Sequence, residues 1–148
     1  MAGRYVKPSV GTRLFNLVPM LLARLGVSVY GSRILAVRGR KTGAWQTVPV
    51  NVLEHAGARY LVAPRGETQW VRNLRAAGGG ELRLGRRHET FHAREIGDAE
   101  KPPFLRAYLA RWGFEVKAFF PGLHAGTDED EFRRVAASYP VFRITARK

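Results

Sequence analysis

The sequence contains no cysteine. Disulfides, thiolate nucleophiles and thiolate metal ligands are therefore excluded, and a cytoplasmic setting is the expectation. It also lacks any apolar run approaching the ~20 residues of a membrane-spanning helix. Its most apolar stretch, LFNLVPMLLARLGV (14–27), is broken by Asn16, Pro19 and Arg24. No small-residue cleavage site follows, so it does not read as a signal peptide. Acidic residues are scarce: 12 Asp and Glu stand against 25 Lys and Arg, a formal net charge of +13. That imbalance suits an anionic partner (nucleic acid, anionic lipid, or a phosphorylated or polycarboxylated small molecule) and equally describes a solvated basic surface. No Walker A motif, dinucleotide fingerprint or G-x-S-x-G elbow occurs, and no internal repeat or low-complexity segment.

At 148 residues and 45% hydrophobic content the chain suits one folded domain. An N-terminal amphipathic segment (1–28) is expected ahead of a core spanning 30–148. Leu14, Leu17, Val18, Leu21, Leu22 and Leu25 share a helical face, with Pro19 kinking the helix. It serves as a helix capping the core or as a basic lid or anchor on the inner face of a membrane. Strands follow: SRILAVR (32–38), WQTVPVNVLE (45–54) and ARYLVAP (58–64), joined by short turns as an antiparallel meander. Pro49 marks an edge or a bulge in the second. A short helix is expected over 68–77, ended by Gly78 to Gly80. A second hairpin turns at Gly85-Arg86-Arg87, and a helix covers 100–112. A last helix begins after Thr127 as its N-cap, and VFRITA (141–146) closes the chain as a strand. Strands in hairpins rather than alternating with helices argue against a doubly wound sheet. The expected class is mainly β with peripheral helices, a small barrel of about six antiparallel strands.

His88-Glu89-Thr90-Phe91-His92 spells H-E-x-x-H, the zinc-protease string. That chemistry needs a helix, which brings residues i and i+4 to one metal. Leu82 and Leu84 alternate before a Gly turn, and Thr90, Phe91 and Ile96 suit β structure, so the motif is expected on a strand. There the two histidines would stand about 13 Å apart. His55 and His124 are isolated, and no metal site is expected.

RGRKTG (38–43) lies at the mouth of the first hairpin. Gly39 and Gly43 allow close backbone approach, while Arg38, Arg40, Lys41 and Thr42 supply donors. Further on, APRGETQWVRNL (63–74) leaves a strand, turns at Gly66 and enters a helix whose N-terminus attracts anions. Trp70 and Asn73 follow one turn apart, with core packing the alternative role for the indole.

GRKTG…TVPV followed by YLVAPRGETQWVRNL resembles the deazaflavin-dependent nitroreductases, also called coenzyme F-420-dependent quinone reductases, over roughly residues 30–97. The resemblance implies a split β-barrel of the flavin-reductase and pyridoxamine-oxidase kind. It implies coenzyme F-420, an 8-hydroxy-5-deazaflavin with a phosphodiester and an oligoglutamate tail, with FMN as the alternative cofactor. By motif position, Arg40, Lys41, Thr42 and Gly43 would hold the tail and phosphate. Gln46, Pro49 and Asn51 would line the cofactor groove. Ala63, Pro64, Arg65 and Gly66 would contact phosphate or ring through backbone groups, and Trp70 and Asn73 would shape the ring site. Pro64-Arg65 stands where some members carry a Ser, which removes a hydroxyl from that position. Trp70, Tyr108, Trp112 and Phe119 are candidate substrate-pocket aromatics. The implied reaction is hydride transfer to a quinone, a nitroaromatic or an activated alkene, with the proton available from water. A non-catalytic flavin- or lipid-binding barrel and a basic nucleic-acid binder are the competing readings. The aromatics fall at core-like positions, which disfavours nucleic acid.

Overall fold

The computed structural model describes residues 32–147, and the expected N-terminal helix lies outside them. Six antiparallel strands close into a barrel in the order β1-β2-β3-β6-β5-β4. The strands are β1 (Ser32–Arg38), β2 (Trp45–His55), β3 (Ala58–Val62), β4 (Gly79–Leu84), β5 (Arg87–Glu95) and β6 (Val141–Ala146). Helix α1 (Gln69–Ala77) joins β3 to β4, while α2 (Pro102–Val116) and α3 (Glu129–Val135) lie between β5 and β6. Among the described residues no helix is long and apolar enough to cross a membrane.

Alternation builds two cores, because successive strand residues face opposite sides of the wall. Leu35, Val37, Leu61, Leu82, Phe91, Phe142 and Ile144 fill one, with Val71 and Leu74 of α1 added. Leu53, Tyr60 and Val62 meet Leu105, Tyr108, Trp112 and Val116 of α2 in the other. Closure needs close backbone approach where β4 begins. A Cβ on Gly80 would stand 2.6 Å from the Ala36 carbonyl oxygen.

The long strand β2 is shared unequally. Residues 45–51 pair with β1, whereas pairing with β3 begins only at Val52. The first half of β2 therefore overhangs β3, and Pro49, opposite Ile34, lies in that overhang. A proline is tolerated there because the stretch is bonded on one side only. His88 and His92 lie on β5, opposite Arg83 and Gly79, and are exposed. The strand separates them as its rise requires. On the same strand Glu89 forms a two-pronged ion pair with Arg59 of β3.

Several boundaries differ from expectation: β3 ends at Val62 rather than 64, Gly79 and Gly80 open β4 rather than ending α1, and α2 begins at Pro102 rather than 100. Helix α2 runs to Val116, with a kink at Trp112 (φ −124°, ψ 15°). The N-cap of α3 is Asp128, not Thr127. The Thr127 hydroxyl instead accepts the backbone N–H of His124 at 2.9 Å, closing the turn before the helix.

Candidate functional site

The loop between β1 and β2 is a tight, internally bonded turn. Gly39 N–H donates to the Ala44 carbonyl and Gly43 N–H to the Gly39 carbonyl, both at 2.8 Å. Gly43 sits at φ 75°, a conformation that excludes most side chains. The Thr42 hydroxyl accepts from Ala44 N–H at 3.2 Å. Arg38 stacks 4.0 Å above the exposed ring of Trp45, and Arg83 approaches the same ring at 5.2 Å. Arg40, Lys41 and Thr42 project into solvent.

Arg40 ties this loop to α1. Its backbone N–H donates to Asn73 Oδ1 at 3.1 Å, and its guanidinium donates to the same oxygen at 2.8 Å. A further bond runs from the guanidinium to Gln69 Oε1 at 2.9 Å. Asn73 is buried, 3% exposed, so its oxygen is a fixed acceptor rather than a wandering surface amide. Gln69 opens α1 four residues before Asn73, which puts both on one helical face. The basic loop thus lies beside the N-terminus of α1. There Thr68 occupies the N-cap position without capping, and its buried Oγ1 has no hydrogen-bond partner among the described residues. Arg75 of α1 grips Glu67 at 3.1 Å and Glu95 at 2.7 Å, fixing the preceding turn to β5.

The expected site residues divide accordingly. Arg40, Lys41, Thr42 and Gly43 share one loop, and Asn73 belongs to it as fastener. Asn73 was expected to shape a ring site, but its buried oxygen is committed to Arg40. Gln46, Pro49 and Asn51 do not form one lining. Pro49 and Asn51 share a face of β2, whereas Gln46 falls on the other with Val48 and Val50, which pack toward the core. The backbone N–H groups of Ala63 and Gly66 are committed internally, to the Pro140 carbonyl at 2.9 Å and the Ala63 carbonyl at 3.2 Å. Those two donors therefore do not point at a ligand. Pro64 has no N–H to give, and Arg65 reaches the Phe119 ring at 5.9 Å.

Among the candidate aromatics, Trp112 is fully buried and Tyr108 is 3% exposed, both within the α2 core. Their rings close on each other at 5.0 Å and form no open pocket wall. Half-buried Phe119 packs at the edge of that core. Trp70 is half-buried against Phe142 at 6.3 Å. The arrangement also contains Gln69, Thr68 and Glu115, which sequence reasoning did not single out. Only Gln69 carried a signal, the four-residue spacing to Asn73. Glu115 of α2 receives the Asn51 amide at a long 3.5 Å.

The donor set fits a polyanionic cofactor. Two cations and a hydroxyl stand at a glycine-bounded turn, against a helix N-terminus with an orphaned buried hydroxyl.

A closed six-stranded barrel with an overhanging strand and a basic loop at one end defines a split-barrel fold. Three solved structures share this fold. An F420-H2 dependent reductase aligns with TM-score 0.52 at 18% identity, covering 78% of this chain and 94% of the other. An FAD-binding protein of Mesorhizobium loti aligns with TM-score 0.54 at 15% identity, covering 89% of each chain. HutZ, the heme storage protein of Vibrio cholerae, aligns with TM-score 0.53 at 7% identity, covering 97% and 92%. At these identities they speak for the fold alone. No curated protein matches the chain. The sequence model of the F420H(2)-dependent quinone reductases matches residues 19–118, and the chain belongs to that family.

Proposed function

We propose that the protein transfers hydride from reduced coenzyme F-420 to a quinone, with nitroaromatics and activated alkenes as further acceptors. The observation that carries this reading is the Arg40–Asn73 fastening, which joins RGRKTG and the α1 motif, both within the matched residues 19–118, into one cradle. The bound cofactor supplies hydride from its ring carbon. Lys41 and the outward N–H groups of Arg40 offer charge-assisted donors to the phosphodiester and glutamate carboxylates. The Thr68 hydroxyl and the N-terminus of α1 add donors to the same anions. Pro49 and Asn51, on the overhang of β2, line the approach to the ring. The net charge of +13 draws the anionic coenzyme toward the site at low ionic strength.

Titration of the protein with oxidised coenzyme F-420 is expected to change the coenzyme's fluorescence with micromolar affinity. Lys41→Ala is expected to weaken that binding about tenfold, as the loss of one charge-assisted contact requires. The double change His88→Ala/His92→Ala should leave it intact. Absent binding, or micromolar binding of FMN in its place, overturns the proposal.

A further inference from the structure

Among the described residues, one half-buried carboxyl group has no cationic partner. Glu115 lies half-buried on α2, and among the described residues it forms no ion pair. In a chain with 25 Lys and Arg this is conspicuous, since Glu67, Glu81, Glu89, Glu95, Asp98 and Glu129 all have cationic partners. A half-buried carboxylate is expensive unless paired, so a merely structural one would have recruited an arginine. Glu115 has an amide instead: Asn51 Nδ2, 3.5 Å from its Oε1. The Tyr108 hydroxyl lies near the same amide, about two turns earlier on α2. Asn51 is the last residue of β2 before pairing with β3 begins, so all three groups gather at the root of the overhang.

We propose that Glu115 holds and delivers the proton required by the electron acceptor, with Asn51 and Tyr108 as its positioning residues. This assignment rests on the hydride-transfer reading above. Reduction of a quinone to the hydroquinone takes up one hydride and one proton, and oxidation of the reduced coenzyme releases both. The Glu115 O–H bond breaks as its proton passes to a quinone oxygen. The resulting carboxylate is reprotonated, through water, by the proton released from the coenzyme. No further oxidant or reductant is needed.

The local electrostatics favour the protonated form of this group relative to an exposed glutamate. Burial holds the Glu115 carboxyl above the ordinary carboxylate range, opposed only by the Asn51 hydrogen bond. Burial likewise pushes the Tyr108 hydroxyl up, assisted by the nearby Glu115 charge, so the phenol stays protonated. Among the described residues, cations on the surrounding elements are engaged elsewhere or face solvent, and Arg111 of α2, four residues before Glu115, is exposed and lies over the Trp112 ring. Arg59 of β3 is paired with Glu89, Arg133 and Arg134 of α3 with Glu129 and Glu131, and Lys117 is exposed. Glu54 and His55 of β2 and Tyr60 of β3 are the other titratable groups on the strands packed against α2.

The test is Glu115→Gln in the full chain, which keeps volume and the acceptor for Asn51 while removing the acid. Coenzyme affinity by fluorescence titration is expected to match wild type. With a water-soluble quinone, kcat is expected to fall by about a hundredfold, the low end for loss of a positioned acid. The decline of wild-type kcat with rising pH should be absent from the variant. Independently of turnover, carboxyl NMR of the cofactor-free protein should show Glu115 titrating above the exposed glutamates. Asn51→Ala should raise that midpoint further. Equal kcat and pH profile in wild type and variant, or titration of Glu115 together with the exposed glutamates, overturns the assignment and leaves the function standing. Failure of the wild type to oxidise the reduced coenzyme overturns both.

Discussion

Replacing Asn73 with Ala is the most direct probe of the cradle. The substitution deletes one buried oxygen that accepts from both the backbone N–H and the guanidinium of Arg40. A neutral hydrogen bond contributes about 1 kcal/mol net, and the charged one somewhat more before discounting for the exposed guanidinium. Water can reach the freed Arg40 donors, so the stability cost should be near 2 kcal/mol rather than the larger penalty of an orphaned buried group. The effect on the ligand is separate. Release of two loop residues costs about 1–2 kcal/mol each to re-order on binding, which converts to roughly 30–1,000-fold weaker coenzyme affinity. Amide hydrogen exchange reads the contact itself, because the Arg40 N–H donates to Asn73 Oδ1 and, among the described residues, to no backbone carbonyl. Fast exchange at Arg40 is expected in Asn73→Ala, with a lowered urea midpoint. Asn73→Asp keeps the acceptor and should retain protection. If Arg40 exchanges equally slowly in wild type and Asn73→Ala, the fastening does not hold the loop and the reasoning fails.

Two further outcomes follow from packing and charge. Gly80→Ala places a methyl group against the Ala36 carbonyl and should cost about 1–3 kcal/mol in denaturant unfolding. Gly97→Ala, whose nearest neighbour would be Glu100 Oε2 at 3.6 Å, should be close to neutral. Arg59, through its hydrogen bonds, holds the Glu89 carboxyl below its ordinary range. Because the folded value lies below the unfolded one (~4.3), the pair stabilises above that pH and its contribution fades as pH falls toward the folded value. Partial exposure of both side chains keeps the effect small. The difference in thermal midpoint between wild type and Arg59→Gln should therefore shrink on acidification from about pH 6 to pH 3, and a constant difference would contradict the pairing.

Much of this architecture is legible in the sequence because it is local. Alternating Val48, Val50 and Val52, the Gly85 turn and the paired leucines of β4 specify strands by period alone, and the same reasoning rejects a zinc site at His88 and His92. What stays hidden depends on contacts between distant segments. The role of Asn73 requires knowing that Arg40 folds back onto α1, thirty-three residues away in sequence. That Gln46 faces away from Pro49 and Asn51 follows from parity along the strand, a rule the sequence does carry. Tyr108 and Trp112 resemble pocket aromatics in composition, yet only the packing of α2 on β2 and β3 distinguishes a core ring from a wall. Glu115 bears no motif at all, since its meaning is the lack of a cationic partner among the described residues.

The position of β6 has a kinetic consequence. It is inserted between β3 and β5, pairing Arg59 with Ile144 and Glu95 with Phe142. During synthesis β3 emerges long before its neighbour, with α1, two strands and two further helices made in between. Until Val141–Ala146 arrives, β3 and β5 each present an unpaired edge, and the core residues Leu61 and Phe91 lack Phe142 and Ile144. Barrel closure is thus a late, high-contact-order event, and the nascent chain depends on its edges remaining unpaired with other chains until then. Shortening β6 by even two residues would be expected to shift the balance from slow folding toward aggregation.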